Sequence, residues 1–209
     1  EDLQLDLNAA GKSNNDNHNG FCIDSSGNKR YAEMINFNFS TNGFINGHVV
    51  CDNNAYIKIP YSPWADNAKR GSTIDLIYTP INSGNEDARV IDYTYITDEM
   101  AEGEIKPFKG LFADIRQAIV SSSNSGSSSG KVSLDENSGE IHLTWVLDRA
   151  NKFCKTYING ILSRIMFLSD SGSGNSAIFE DFSHNEFIYL NSTKGENCGT
   201  YDIKRLRIW

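Results

Sequence analysis

The sequence predicts an all-β fold, an antiparallel β-sandwich built as one domain, and three observations carry that prediction. Apolar and polar residues alternate over one segment after another, as in "INFNFS", where Ile35, Phe37 and Phe39 share one face and Asn36, Asn38 and Ser40 the other. Helical character is confined to the short acidic run "DEMAEGE", residues 98–104. Turn clusters such as "STNGFING", "SDSGSGNS" and "STKGENCG" punctuate the chain, rich in residues that accept left-handed or Asx-turn geometry. About ten short strands separated by such turns are the pattern of a sandwich.

The elements follow in order. "LQLDL" opens with a short alternating strand that runs into an Asn-rich loop without apolar periodicity. After "INFNFS" come "AYIKIPY" (55–61), "STIDLIYT" (72–79), "ARVIDYTYI" (88–96) and "GLFADIRQAIV" (110–120), each read as one strand. The second half supplies "EIHLTWVLD" (140–148), "FCKTYI" (153–158), "ILSRIMFL" (161–168), "EFIYLN" (186–191) and "YDIKRLRIW" (201–209). Between two of these lies "KTYINGILSR", residues 155–164, a hairpin hinged on Asn159-Gly160. A two-residue hairpin loop needs positive φ at both central positions, which Asn tolerates and Gly adopts at no steric cost.

With 209 residues and 39% hydrophobic content, the chain can bury one sizeable core, so a single domain over residues 1–209 is expected. "SSSNSGSSSG", residues 121–130, has linker composition but lies between strand-like segments and reads as a long surface loop. The chain stops inside a strand at Trp209, which predicts either an excised domain of a larger protein or a terminal strand completing a sheet near the N-terminus. A net charge of -8 and a pI near 5.0 argue against nucleic acid, since phosphate backbones are held by basic stripes and only "KRLR" (204–207) gathers cations. No apolar run reaches the roughly 18 residues of a membrane-spanning helix, and no membrane insertion is expected. Cys22, Cys51, Cys154 and Cys198 lie far apart without zinc-site spacing. An even count permits two disulfides, but a core of this size does not need them, and buried free thiols are expected.

The run "EIHLTWVLDRANKFCKTYINGILSRI", residues 140–165, resembles the central hairpin region of concanavalin A-like, laminin-G-like jelly rolls. "LDLNAAGKSNND", "FNFSTNGFINGHVV", "AYIKIPYSPW" and the closing "GTYDIKRLRIW" are similar to corresponding pieces of laminin-G-like domains in phage tail and appendage proteins and bacterial surface proteins. The resemblance implies a concanavalin A-like jelly roll. Tyr-Ile-Asn-Gly is a folding signature and does not name a ligand.

A glycoside hydrolase on such a fold needs two carboxylates about 5 to 10 Å apart on one cleft face. "NEDARVIDY" comes nearest, yet Glu86 and Asp87 point to opposite faces and Asp92 is out of parity with Asp87. No catalytic residues are therefore assigned. Binding looks to the solvated face of the concave sheet instead. If Ile74, Leu76 and Tyr78 face the core, Asp75 faces outward; likewise Ile141, Leu143, Trp145 and Leu147 are core while His142 and Thr144 are outside. In "GLFADIRQ" the same reasoning turns Leu111, Ala113 and Ile115 inward and Phe112, Asp114 and Arg116 outward, onto the face that carries His142. Rings, carboxylates, an Arg and a His suit a sugar, whose hydroxyls need directional partners and whose C–H face stacks on an aromatic; ordinary solvated strand residues fit the pattern as well.

Trp64, just after Pro63, is either an exposed binding platform or an edge-packing residue. Calcium is the cofactor the resemblance admits, and Asn14 and Asp16 of "NNDNHNG" carry suitable oxygens. With one carboxylate in that loop, Asx-turn chemistry explains it more economically. The expectation is a non-enzymatic recognition module. Its partners would be a glycan or host-surface receptor and other chains of a larger assembly, on a virion surface or in the extracellular medium. A purely structural module is the competing class, and aromatics clustered on a sheet face would favour recognition.

Overall fold

The computed structural model describes residues 3–14, 20–52, 54–60, 71–81, 88–96, 108–121, 130–135, 139–148, 150–151, 153–167, 187–192 and 195–209. Among them two antiparallel sheets pack face to face as a β-sandwich, as the alternation predicts. The first sheet holds β1 (Leu5–Asn8), β4 (Gly43–Ile45), β5 (His48–Cys51), β7 (Ser72–Pro80), β12 (Ile141–Asp148), β13 (Phe153–Ile158), β14 (Ile161–Phe167) and β16 (Tyr201–Ile208). Its order is β14-β13-β12-β7-β16-β5-β4. One edge of β16 is shared, because β5 pairs with residues 201–203 and β1 with residues 205–208. The C-terminal strand thus completes a sheet beside the N-terminal one.

The second sheet holds β2 (Phe21–Ile23), β3 (Tyr31–Ile35), β6 (Tyr56–Pro60), β8 (Arg89–Ile96), β9 (Phe108–Asp114), β10 (Gln117–Ser121), β11 (Val132–Ser133) and β15 (Phe187–Leu190), in the order β11-β10-β9-β8-β15-β6-β3-β2.

The inner faces are the apolar parities of the strands. Ile74, Leu76, Tyr78, Ile141, Leu143, Trp145 and Leu147 are all buried, and so are Leu111, Ala113 and Ile115 of the opposite sheet. Tyr78 and Tyr201 meet edge to face with centroids 6.0 Å apart, and the Tyr201 hydroxyl donates to the Ala88 carbonyl at 2.8 Å, tying one sheet to the other. Cys22, Cys51, Cys154 and Cys198 are free thiols, the first three buried. Burial pushes the Cys22 and Cys154 thiols up to about 12.

Two of the strands read from the sequence take a different form. "INFNFS" is not a strand: β3 ends at Ile35, Asn36 turns left-handed at φ 58°, and Phe37 and Phe39 stack on each other at 6.0 Å against the core. Residues 110–120 are not one strand but the hairpin β9–β10, turned at Ile115-Arg116. The turn cluster "STNGFING" also hides β4, whose tip Asn46-Gly47 has φ of 51° and 79°. It repeats the Asn159-Gly160 tip, with φ of 52° and 78°, in the same aromatic-aliphatic-Asn-Gly setting. The acidic run 98–104 and residues 122–129 of the Ser-rich run lie outside the described residues.

Candidate functional site

The outer face of the first sheet carries a transverse row set by register. Tyr157 stands opposite Thr144, Thr144 opposite Asp75, Asp75 opposite Arg207, and Arg207 opposite Asp6, across β13, β12, β7, β16 and β1. Cross-strand partners lie about 5 Å apart, close enough for side chains to interact. His142 comes from the adjacent row, opposite Ile77.

Asp75 is the hub of this row. Its Oδ1 accepts a hydrogen bond from Thr144 Oγ1 at 2.8 Å and another from His142 Nε2. Its Oδ2 accepts from Arg207 Nε at 3.0 Å and from Arg207 Nη2. The Asp75 side chain is only 4% exposed, while the side chains it holds reach solvent, His142 by 41% and Arg207 by 26%. Burial alone would raise the pKa of Asp75. The hydrogen bonds from Arg207, Thr144 and His142, with the charge of His142, outweigh burial and hold the carboxyl below its ordinary value. Because Nε2 of His142 donates to Asp75, Nδ1 is its accepting nitrogen in the neutral ring.

A second carboxylate–guanidinium pair flanks the first. Arg205 grips Asp6 in a bidentate fork, Nε to Oδ1 at 2.8 Å and Nη2 to Oδ2 at 2.7 Å. Arg207 also lies over the Trp209 ring, its Cζ 4.9 Å from the centroid. A register shift between Ile203 and Arg205 makes this possible. Ile203 and Leu206 are both buried although three residues apart, so the strand must bulge between them, and the bulge leaves Arg205 and Arg207 on the outer face. Sequence reasoning met these arginines only as a scattered basic run. The three-residue spacing of apolar side chains was the signal that could have placed them.

Asp75, His142 and Thr144 are therefore brought together as alternation expects, and Phe112, Asp114 and Arg116 are not. Phe112 and Asp114 belong to the second sheet and are buried, at 7% exposure each, where outward exposure was expected. Phe112 lies under the Arg89 guanidinium, 3.9 Å from the ring centroid. Asp114 ends its strand and caps the turn: Oδ1 accepts the Arg116 and Gln117 backbone N–H groups at 2.8 and 2.9 Å, and Oδ2 accepts Gln117 Nε2 at 2.9 Å. Arg116 is exposed on that turn, so it cannot share a face with His142 of the opposite sheet. Trp64 and Asp16 lie outside the described residues.

Asn14 does not fit a calcium ion. Its Oδ1 accepts the Phe44 N–H at 2.7 Å, and its Nδ2 donates to the Phe39 and Asn42 carbonyls at 2.7 and 2.9 Å, so the side chain is spent on clamping backbone. Among the described residues no group of three or more His, Cys, Asp or Glu side chains is arranged to hold a metal.

Chemically, Asp75 is unsuited to serve as a general acid. A general acid needs a raised pKa, whereas Asp75 is shifted the other way and its oxygens are saturated with donors. What the row offers a ligand is the far edge of His142 and the outer guanidinium edge of Arg207, both held in place by Asp75.

No family model and no curated protein sequence matches the chain. Solved structures do. A Trypanosoma rangeli sialidase shares the fold at 11% identity with a TM-score of 0.61, over 100% of this chain and 30% of the sialidase. The binding domain of botulinum neurotoxin serotype D follows at 14% identity and a TM-score of 0.60, over 100% of this chain and 48% of that one. A botulinum neurotoxin type C structure, from a toxin whose cell entry depends on interaction with two ganglioside molecules, matches at 12% identity and a TM-score of 0.56, over 100% and 48%. The chain spans under half the length of each, and at these identities the likeness is one of fold: an all-β sandwich shared with sialidase and toxin binding-domain structures.

Proposed function

We propose that this chain is a non-catalytic recognition module that binds a glycan or cell-surface receptor, as one laminin-G-like, concanavalin A-like domain of a phage tail or appendage protein or a secreted surface protein. The observation that carries the reading is the Asp75 hub. A buried carboxylate that fixes a part-exposed acceptor, His142 Nδ1, and a part-exposed donor, Arg207, pre-organises hydrogen bonding to hydroxyls and lowers the ordering cost of binding. Support comes from the fold shared with a toxin binding domain and with a structure of a toxin whose cell entry depends on interaction with two ganglioside molecules. Its setting would be extracellular or on a virion surface, beside other chains of a larger assembly.

The test is a glycan-array screen of wild-type protein and His142→Ala. Loss of the wild-type hits in the variant with little change in melting temperature supports the reading, since surface substitutions usually cost under about 0.5 kcal/mol. Hits that survive the substitution refute this face as the site.

A structural or protein-interaction module is the second reading, and one observation favours it. The edge strand β14 exposes Ile161, Leu162 and Ile165 at 71%, 45% and 41%. Apolar side chains on an outer strand are what a partner chain would cover. A screen without glycan hits, together with pull-down of the natural assembly through β14, would decide for it.

A further inference from the structure

We propose that the outer face of the second sheet is a separate binding site for a neutral oligosaccharide. Register sets its middle row: Phe21 stands opposite Glu33, Glu33 opposite Lys58, and Lys58 opposite Tyr189, across β2, β3, β6 and β15. Tyr31 and Phe187 flank the row on one side and Tyr56 on the other. A carboxylate and an ammonium thus stand at the centre of a tract bordered by five aromatic side chains.

The rings form two groups, one at each end of the row. Phe21 and Tyr31 meet edge to face at 5.3 Å, Tyr56 and Tyr189 at 6.2 Å, and Phe187 and Tyr189 at 6.2 Å, while the Lys58 ammonium sits 3.7 Å from the Phe187 centroid. Tyr31 is 50% exposed and Phe21 38%. Beyond Tyr189 the row passes to Asp92, which is buried and bonded to Arg89 at 3.0 Å, so the accessible tract ends at β15. From β2 to β15 it spans three strand spacings, about 14 Å, long enough for several sugar rings.

The arrangement selects the ligand class. A protein partner, including a second copy of this chain, is met by an apolar centre with a polar rim. Here the order is inverted, with charge at the centre and rings around it. Glu33 and Lys58 offset each other, so the tract has no net charge to attract a polyanion, and the chain as a whole carries -8. A neutral sugar chain matches both parts, its hydroxyls meeting Glu33 and Lys58 and its C–H faces meeting the rings. This site shares no residue with the Asp75 row and stands whether or not that row binds a ligand.

Calorimetry and saturation-transfer NMR on the whole chain test it, with cellohexaose, chitohexaose and maltohexaose as neutral probes and a hyaluronan hexasaccharide as the anionic one. At least one neutral hexasaccharide should bind. Tyr31→Ala and Phe21→Ala, both at exposed rings, should each weaken it about three- to tenfold, the range expected for one aromatic contact. His142→Ala should leave it unchanged, which separates this site from the first. The proposal is overturned if no neutral probe binds at millimolar concentration, if hyaluronan binds more tightly, or if His142→Ala alone abolishes binding. It is equally overturned if both ring variants bind as wild type, or if sedimentation shows a dimer that Tyr31→Ala dissociates.

Discussion

Replacing Asp75 by Asn probes the candidate site and the fold together. The substitution keeps the shape but removes the charge, and it turns one accepting oxygen into a donor that must face either Arg207 or the Thr144–His142 pair. Breaking a buried ion pair from one side costs about 3 to 5 kcal/mol. Arg207 keeps 26% of its side chain in solvent, so water recovers part of that loss, and about 2 to 3 kcal/mol is expected. For a domain of this size, that is a fall in melting temperature of about 4 to 12 °C. Urea unfolding of both proteins at pH 7 and at successively lower pH is the assay. Asp75 has a depressed pKa in the fold, so its contribution is complete above the unfolded carboxylate value of about 3.9 and is lost as pH falls through the lower folded value. The gap between wild type and variant should therefore be full at neutral pH and should close in acid. Equal stability at pH 7, or a gap that persists unchanged in acid, would refute the assignment of Asp75 as an ionised hub.

Three further outcomes are expected. Trp145 is fully buried, so Trp145→Ala should cost about 3 to 5 kcal/mol in chemical denaturation; a ready response to an aqueous quencher in the folded state would contradict that burial. Gly160 sits at φ 78°, with open space where a Cβ would go, so Gly160→Val should cost about 1 to 3 kcal/mol through backbone strain alone. A melting curve indistinguishable from wild type would contradict the turn. Native protein at pH 8 should be alkylated at half-buried Cys198 well before Cys22 and Cys154, whose thiols burial pushes up to about 12, as peptide mapping by mass spectrometry would report.

What the sequence determined by itself was the set of positions governed by a period of two and by turn chemistry. Every second residue of "IHLTWVLD" is buried, Asn159-Gly160 turns as its residue types require, and Asp75, His142 and Thr144 emerge on one outer face because each strand is read from its own alternation. Alternation fails where the backbone leaves the regular strand. Asn36 interrupts "INFNFS" with a left-handed residue, Asp114 folds "GLFADIRQAIV" back on itself, and the bulge after Ile203 shifts the parity of "YDIKRLRIW". Each of these changes the face of everything after it.

Which strand lies beside which was left to the tertiary structure, since parity is a local property and pairing is not. Arg116 and His142 look equivalent by alternation, yet chain topology puts them in opposite sheets. Arg207 sits 132 residues from Asp75 and Asp6 199 residues from Arg205, and no local pattern encodes those pairs. They form because β16 lies between β7 and β1, where burying Leu206 and Ile208 against the core obliges Arg205 and Arg207 to face the two carboxylates.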